Sequence, residues 1–252
     1  MVRTGIKAGS IAVIMAVTGS LILLIGARAF SGIAWHSNEI AYICTTRNGN
    51  SHICLRDINL GFPRDLMWEI DGWVNDLSWS SDGQQILFEG SIRGASGIYR
   101  LDIRDRQMSL ILRGGHAPAL SPDGRQIAFH MDREVSSPDA VLVSDIFIMN
   151  ADGTNPHRLT SPEAEKDRIY NYHNNYYNPV WSPDGSQIAF QGGGAGLLSA
   201  SDIYLMWANG SHMRQLTDAS QIYFDPAWSP DGTKLAGFAS DGLAIFTIDV
   251  NG

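Results

Sequence analysis

Two cysteines, a tyrosine-rich segment and two short runs of acids are the residues here whose types and spacing could do chemistry. Cys44 and Cys54 flank Asn48-Gly49-Asn50, a triplet of turn-forming composition. If that triplet is a hairpin loop centred on Gly49, the cysteines stand opposite each other on antiparallel strands. Opposed residues there have Cα atoms about 4.5–5.5 Å apart, within disulfide reach. A bridge in an oxidising compartment and two buried thiols on one small sheet are both open readings. Tyr170, Tyr172, His173, Tyr176 and Tyr177 cluster among asparagines. Tyrosine supplies rigid, amphipathic contact area and histidine a polar contact, so these five are read as a binding surface for a partner. The competing reading is that the rings pack their loop onto the body.

Other chemistry lacks its signature. The seven histidines (36, 52, 116, 130, 157, 173 and 212) show no H-x-x-x-H or H-E-x-x-H spacing. No zinc site is expected. Asp132, Glu134 and Asp139 lie close together, as do Glu163, Glu165 and Asp167, but no Gly-punctuated D-x-D-x-D-G run makes them a calcium loop. They are read as solvated loop charge. No G-x-S-x-G is present, so no serine-hydrolase elbow is expected. The residues therefore predict no catalytic site, no metal and no cofactor.

A repeat must position whatever binds. Leu77-Ser78-Trp79-Ser80-Ser81-Asp82-Gly83-Gln84-Gln85-Ile86-Leu87-Phe88 recurs as Ala119 to Phe129, Val180 to Phe190 and Ala227 to Ala236. The turn aspartates 82, 123, 184 and 231 are 41, 61 and 47 residues apart, the unevenness being that of insertions. A short W-S strand leads to Ser-Pro-Asp-Gly, where Pro presets φ, Asp bonds nearby amides and Gly takes φ > 0. Ile-Ala-Phe follows as a second strand. Third strands are read at Gly97–Asp102, Asp145–Asn150 and Asp202–Trp207, and fourth strands at His157–Thr160 and Arg214–Thr217. A weaker first unit over 38–70 has strands at 39–43, 52–57 and 64–68, with Gly32–Trp35 as a first strand. The last unit shows three strands, ending with 243–249. Four short strands per unit without helical periodicity predict an all-β propeller of about five blades, the end blades incomplete. The recurring aspartates and Trp79, Trp181 and Trp228 are assigned to turn and packing roles.

These motifs resemble the TolB-like, or PD40 (WD40-like), β-propeller repeats, whose signature is close to P-x-W-S-P-D-G-x-x-I-A-F. The resemblance covers about residues 38–252 and implies a propeller; family propellers usually have more blades, and residues 30–37 are read as a linker or as a strand closing the last blade. Some propellers of this kind, oligogalacturonate lyases among them, cleave acidic sugars.

Arg3 and Lys7 precede 20 uncharged residues that end at Arg28. At ~1.5 Å rise per residue, a helix of that length spans about 30 Å, the thickness of a bilayer core. Residues 1–29 are read as a signal anchor or, given Ala27-Arg28-Ala29, as a cleavable signal peptide. The expectation is one N-terminal apolar helix and an extracytoplasmic body in the cell envelope, tethered to the membrane or secreted. Beyond residue 29 the chain holds 15 basic and 26 acidic residues, a net charge of −11. Such a surface is a poor binder of polyanions, so no nucleic-acid partner is expected. The sequence points to a non-catalytic scaffold for a protein or peptide. A lyase-like carbohydrate enzyme and a membrane-tethered sensor or accessory domain are the alternatives. The long stretches His130–Ser144, Gln191–Ser201 and Ser161–Asn178 all fall at one end of the blades, which marks that end as the binding face. Gly192-Gly193-Gly194 predicts a mobile loop beside it.

Overall fold

The computed structural model describes residues 12–17, 20–25, 33–36, 39–45, 51–57, 63–65, 71–134, 142–160, 175–193, 201–217, 222–239 and 244–251. Every regular element in them is a β-strand. Where a helix was expected, β1 (Ala12–Val17) and β2 (Ser20–Ile25) pair as an antiparallel hairpin with Val17 opposite Ser20, so the N-terminal helix is not confirmed. A nearly uniformly apolar run has no polar face to reveal its period, and its isoleucines and valines suit strands. Among the described residues no helix is long and apolar enough to cross a membrane.

Five antiparallel meanders follow. The first is β3 (Ile33–His36), β4 (Glu39–Thr45), β5 (Ser51–Asp57) and β6 (Pro63–Asp65). The second is β7 (Gly72–Trp79), β8 (Gln85–Ile92), β9 (Ala95–Asp102) and β10 (Met108–Arg113). The third is β11 (Gly115–Leu120), β12 (Gln126–Glu134), β13 (Leu142–Asn150) and β14 (His157–Arg158). The fourth is β15 (Asn175–Trp181), β16 (Gln187–Gly193), β17 (Ser201–Trp207) and β18 (Arg214–Gln215). The fifth has three strands among the described residues, β19 (Tyr223–Trp228), β20 (Lys234–Ala239) and β21 (Ala244–Asp249). The first blade is complete: of the two readings of residues 30–37, the structure has 33–36 paired with β4 as the first strand of that blade, not as a strand closing the last one.

The first strands are innermost: β7 packs on β3, β11 on β7, β15 on β11 and β19 on β15. Extended packing joins each blade to the next, and among the described residues none joins the fifth to the first. The core consists of four layers between blades. Period-2 alternation explains the Ile-Ala-Phe motif, because Ile127 and Phe129 pack on Leu87 and Ile98 of the blade before. Ala128 between them faces the other way and leaves room for Ile188 and Phe190 of the blade after. The pattern repeats there, Ala189 facing Leu235 of the fifth blade.

The Ser-x-Asp-Gly turns are built as the sequence predicts. Asp231 accepts from the Ser229 hydroxyl at 2.6 Å and the Thr233 amide at 3.0 Å, and Gly232 sits at φ +70°. Those donors hold the Asp231 carboxyl at about 2. Ser182 and Asp184, and Ser121 and Asp123, repeat the arrangement at 2.6 Å each. The repeat tryptophans tie blades together: Trp181 Nε1 donates to the Ala119 carbonyl at 3.0 Å and Trp228 Nε1 to the Val180 carbonyl at 3.2 Å. Cys44 and Cys54 form a disulfide with Cα atoms 6.1 Å apart. The register behind it differs from the expected one, since Cys44 faces His52 and Cys54 faces Tyr42. The hairpin is centred one residue earlier, which makes the bridge diagonal across one face.

Candidate functional site

Each innermost strand from the second blade to the fifth carries a bulge at its middle. The residues at the bulges are Asp76, Ala117, Asn178 and Asp225, with φ of 50°, 45°, 50° and 52°. A bulge bends its strand and re-aims the side chains before it. Asp and Asn tolerate this left-handed conformation through local hydrogen bonds, whereas Ala has no such compensation. The residues ahead of the bulges, at the end of the blades that carries the long connections, form the polar site.

Glu89 on β8 and His116 on β11 join the second and third blades, Nδ1 to Oε1 at 2.8 Å. The other oxygen of Glu89 accepts the Ala117 amide at 3.2 Å, which anchors the strained bulge. Burial pushes the Glu89 carboxyl up, but the hydrogen bonds of His116 and Asp76, the His116 charge and the Ala117 amide together leave it below the usual range. The same hydrogen bond, against burial, lifts His116 above its ordinary value, helped by the charges of Glu89, Asp132 and Asp76. His130 stacks on His116 with ring centroids 5.1 Å apart. Burial of its ring, and then the charge of His116, hold His130 down at about 4, so it is neutral at physiological pH. Tyr177 of the fourth blade meets His130 edge-on at 5.3 Å. Four side chains thus run across three blades along the inner rim.

A second network lies at the same end. Asp145 is fully buried and compensated by Arg133 at 2.5 Å, Arg158 at 3.5 Å and the Thr160 hydroxyl at 2.5 Å. The fourth blade repeats the clamp, Thr217 donating to Asp202 at 2.6 Å. Asn175 Oδ1 accepts the Ser144 amide at 2.9 Å and pins the start of β15 to the third blade.

The expected tyrosine surface divides. Tyr170, Tyr172 and His173 lie outside the described residues. Tyr177 is half-exposed on the inner rim. Tyr176 is 2% exposed, its ring edge-on to Phe190 and Tyr204 at 5.3 and 5.7 Å. Alternation along β15 sends these neighbours to opposite faces, so Tyr176 packs the core and Tyr177 faces the site. The long connections are also shorter than expected, because β12 runs to Glu134 and β13 starts at Leu142, with those two residues paired. Of the glycine run, Gly192 and Gly193 are strand residues paired with Asp202 and Ser201. A Cβ on Gly192 would lie 2.6 Å from the Tyr204 ring and 3.0 Å from Tyr176, so this glycine makes room for two aromatic rings. Sequence reasoning missed Glu89, His116 and His130, which lie on three strands with no common spacing.

Among the described residues no group of three or more His, Cys, Asp or Glu is arranged to hold a metal ion. Glu89 and His116 make a carboxylate–imidazole pair, but no described hydroxyl or thiol bonds His116 to complete a nucleophilic relay.

No family model matches the chain. Over 104 residues, 40% of the chain, it is 30% identical to the Tol-Pal system protein TolB of Francisella tularensis subsp. tularensis, of which it covers 20%. The chain therefore spans about a fifth of the length of the curated relatives it matches. Its fold is similar to TolB from Acinetobacter baumannii, with a TM-score of 0.64 and 21% identity over 86% of this chain and 53% of that one. It is also similar to an oligogalacturonate lyase in complex with manganese, with a TM-score of 0.59 and 12% identity over 96% of this chain and 70% of that one.

Proposed function

We propose that this TolB-like β-propeller is a non-catalytic scaffold that binds a protein or peptide partner outside the cytoplasm. The partner is seated on the inner rim of blades two to four. One observation carries the reading: Tyr177, His130, His116 and Glu89 line up across three blades at the end where the long connections emerge. A half-exposed tyrosine backed by a buried ring is a pre-organised contact, because little side-chain freedom remains to be lost on binding. Tyr170, Tyr172 and His173 on the connection just before β15 extend the same surface in this proposal. The curated relatives carry the name Tol-Pal system protein, which supports a protein partner. Arg3 and Lys7 ahead of the uncharged run, and the Cys44–Cys54 bridge, support export, with residues 1–29 as anchor or signal.

The test is capture of a partner from the native envelope by wild type and by Tyr177→Ala and Tyr172→Ala. Loss of capture at unchanged thermal stability is the expected result. Equal capture per folded molecule removes the rim from the interface. Release of unsaturated product from oligogalacturonate would replace the scaffold with the enzymatic reading.

A further inference from the structure

At the opposite end of the blades the Ser-x-Asp-Gly turns stack on one another. The residue ahead of each turn aspartate abuts the turn glycine of the next blade. A Cβ built on Gly185 lies 3.6 Å from Pro122 Cδ, and one on Gly232 lies 3.6 Å from Pro183 Cδ. Between the second and third blades the repeat breaks, and Ser81 stands where the others have proline. Its hydroxyl is 3.9 Å from a Cβ on Gly124. A cavity of about 380 Å³ opens at this junction, lined by Ser81, Asp82, Arg100, Asp123, Leu87 and Leu120, among others. Arg100 crosses the junction and donates to the Ala151 carbonyl of the third blade. Its buried Nε–H has no acceptor among the described residues. Arg100 also lines the cavity, so its guanidinium presents N–H donors to an occupant.

We propose that this junction is a binding subsite for a neutral sugar unit. The occupant must accept from Arg100 while sitting between the carboxylates of Asp82 and Asp123. A ligand carboxylate serves the arginine but is repelled by the aspartates. The Ser121 hydroxyl and Arg125 amide keep the Asp123 carboxyl below its usual range and hence ionised. A ligand ammonium serves the aspartates but has no lone pair for the arginine. A hydroxyl accepts one hydrogen bond and donates another, so it satisfies both sides at once. Vicinal hydroxyls on one ring reach both walls, and Leu120 offers apolar contact to the ring's C–H face. The volume is at the lower end of the roughly 300–1,000 Å³ typical of small-molecule sites. The site is independent of the partner surface at the other end of the propeller.

The experiment is saturation-transfer NMR on the full chain with methyl α-glucoside, methyl β-galactoside and N-acetylglucosamine. Galacturonate and glucosamine are the anionic and cationic controls. Ser81→Pro restores the repeat and fills the junction, and Ser81→Leu fills it without constraining the backbone. The expected result is millimolar binding of at least one neutral sugar, at least tenfold weaker in both variants, with Ser81→Pro melting no lower than wild type. No signal from any neutral sugar, tighter binding of galacturonate, or equal binding by either folded variant overturns the proposal.

Discussion

Replacing His130 by Phe removes a proton site while keeping a flat ring between His116 and Tyr177. The folded protein holds His130 at about 4, against about 6.5 for an unperturbed histidine. A histidine depressed in the folded state weakens stability as pH falls. Above about 6.5 neither state binds the proton, between 6.5 and 4 only the unfolded chain binds it, and below 4 the loss is complete. At pH 5 the unfolded histidine is nearly all protonated and the folded one about one-tenth so, a linkage cost of about 2 kcal/mol. The phenylalanine variant escapes this cost. Its stability relative to wild type should therefore rise by about 2 kcal/mol between pH 7.5 and pH 5, whatever the packing offset at pH 7.5. Glu89 and His116 titrate in both proteins and cancel to first order. Urea unfolding followed by tryptophan fluorescence at the two pH values measures the difference. A variant-minus-wild-type stability that is the same at both would refute the argument that burial keeps this ring neutral.

Glu89→Gln should lose roughly 1.5–3 kcal/mol by removing the charge-assisted bond to His116 while leaving an acceptor for the Ala117 amide. The wild-type advantage should be largest between about pH 4.5 and 6.5. It shrinks at lower pH as the depressed Glu89 protonates and at higher pH as the raised His116 deprotonates, which urea titrations across that range will show. Ala117→Gly should stabilise by roughly 0.5 kcal/mol, because relief of the left-handed alanine exceeds the entropy that glycine adds to the unfolded chain; a lower melting temperature would show the bulge is not strained. Thr217→Val should cost about 1–3 kcal/mol in urea unfolding, since the buried Asp202 loses its hydroxyl donor and the Ile203 amide its acceptor.

Legibility of the fold followed from which interactions are local. A Ser-x-Asp-Gly turn is closed by bonds between residues two to five apart, so four copies could be read directly as turns with their aspartates in structural roles. Ile-Ala-Phe was readable as a strand because its alternation is built into three residues. The N-terminal run had no alternation, and length alone favoured a helix. The Cys44–Cys54 bridge was within reach of sequence arithmetic despite a wrong register, because a diagonal pair on one face also lies within disulfide range. The same arithmetic failed for Gly192, where composition suggested a loop and two aromatic rings from other strands required a glycine.

The site is the opposite case, and the bulges explain why. Glu89, His116, His130 and Tyr177 come from four strands of three blades, with 27 residues between the two that bond. No window of sequence contains them together. What brings them together is the recurring left-handed residue on each inner strand, which bends the strand just after it leaves the loop end. That signal was present as aspartate and asparagine three residues before each repeat tryptophan, at Asp76, Asn178 and Asp225. The third blade departs from it with Ala117, and there a glutamate from the neighbouring blade takes up the bulge amide. Glu89 therefore compensates a local backbone cost and, with the same carboxylate, fixes His116 against His130. Local strain and an inter-blade ion pair sit on one side chain because an alanine occupies a position its sister blades give to Asp or Asn. A blade junction held this way lets acid act on stability through three neighbouring groups at once, Glu89, His116 and His130.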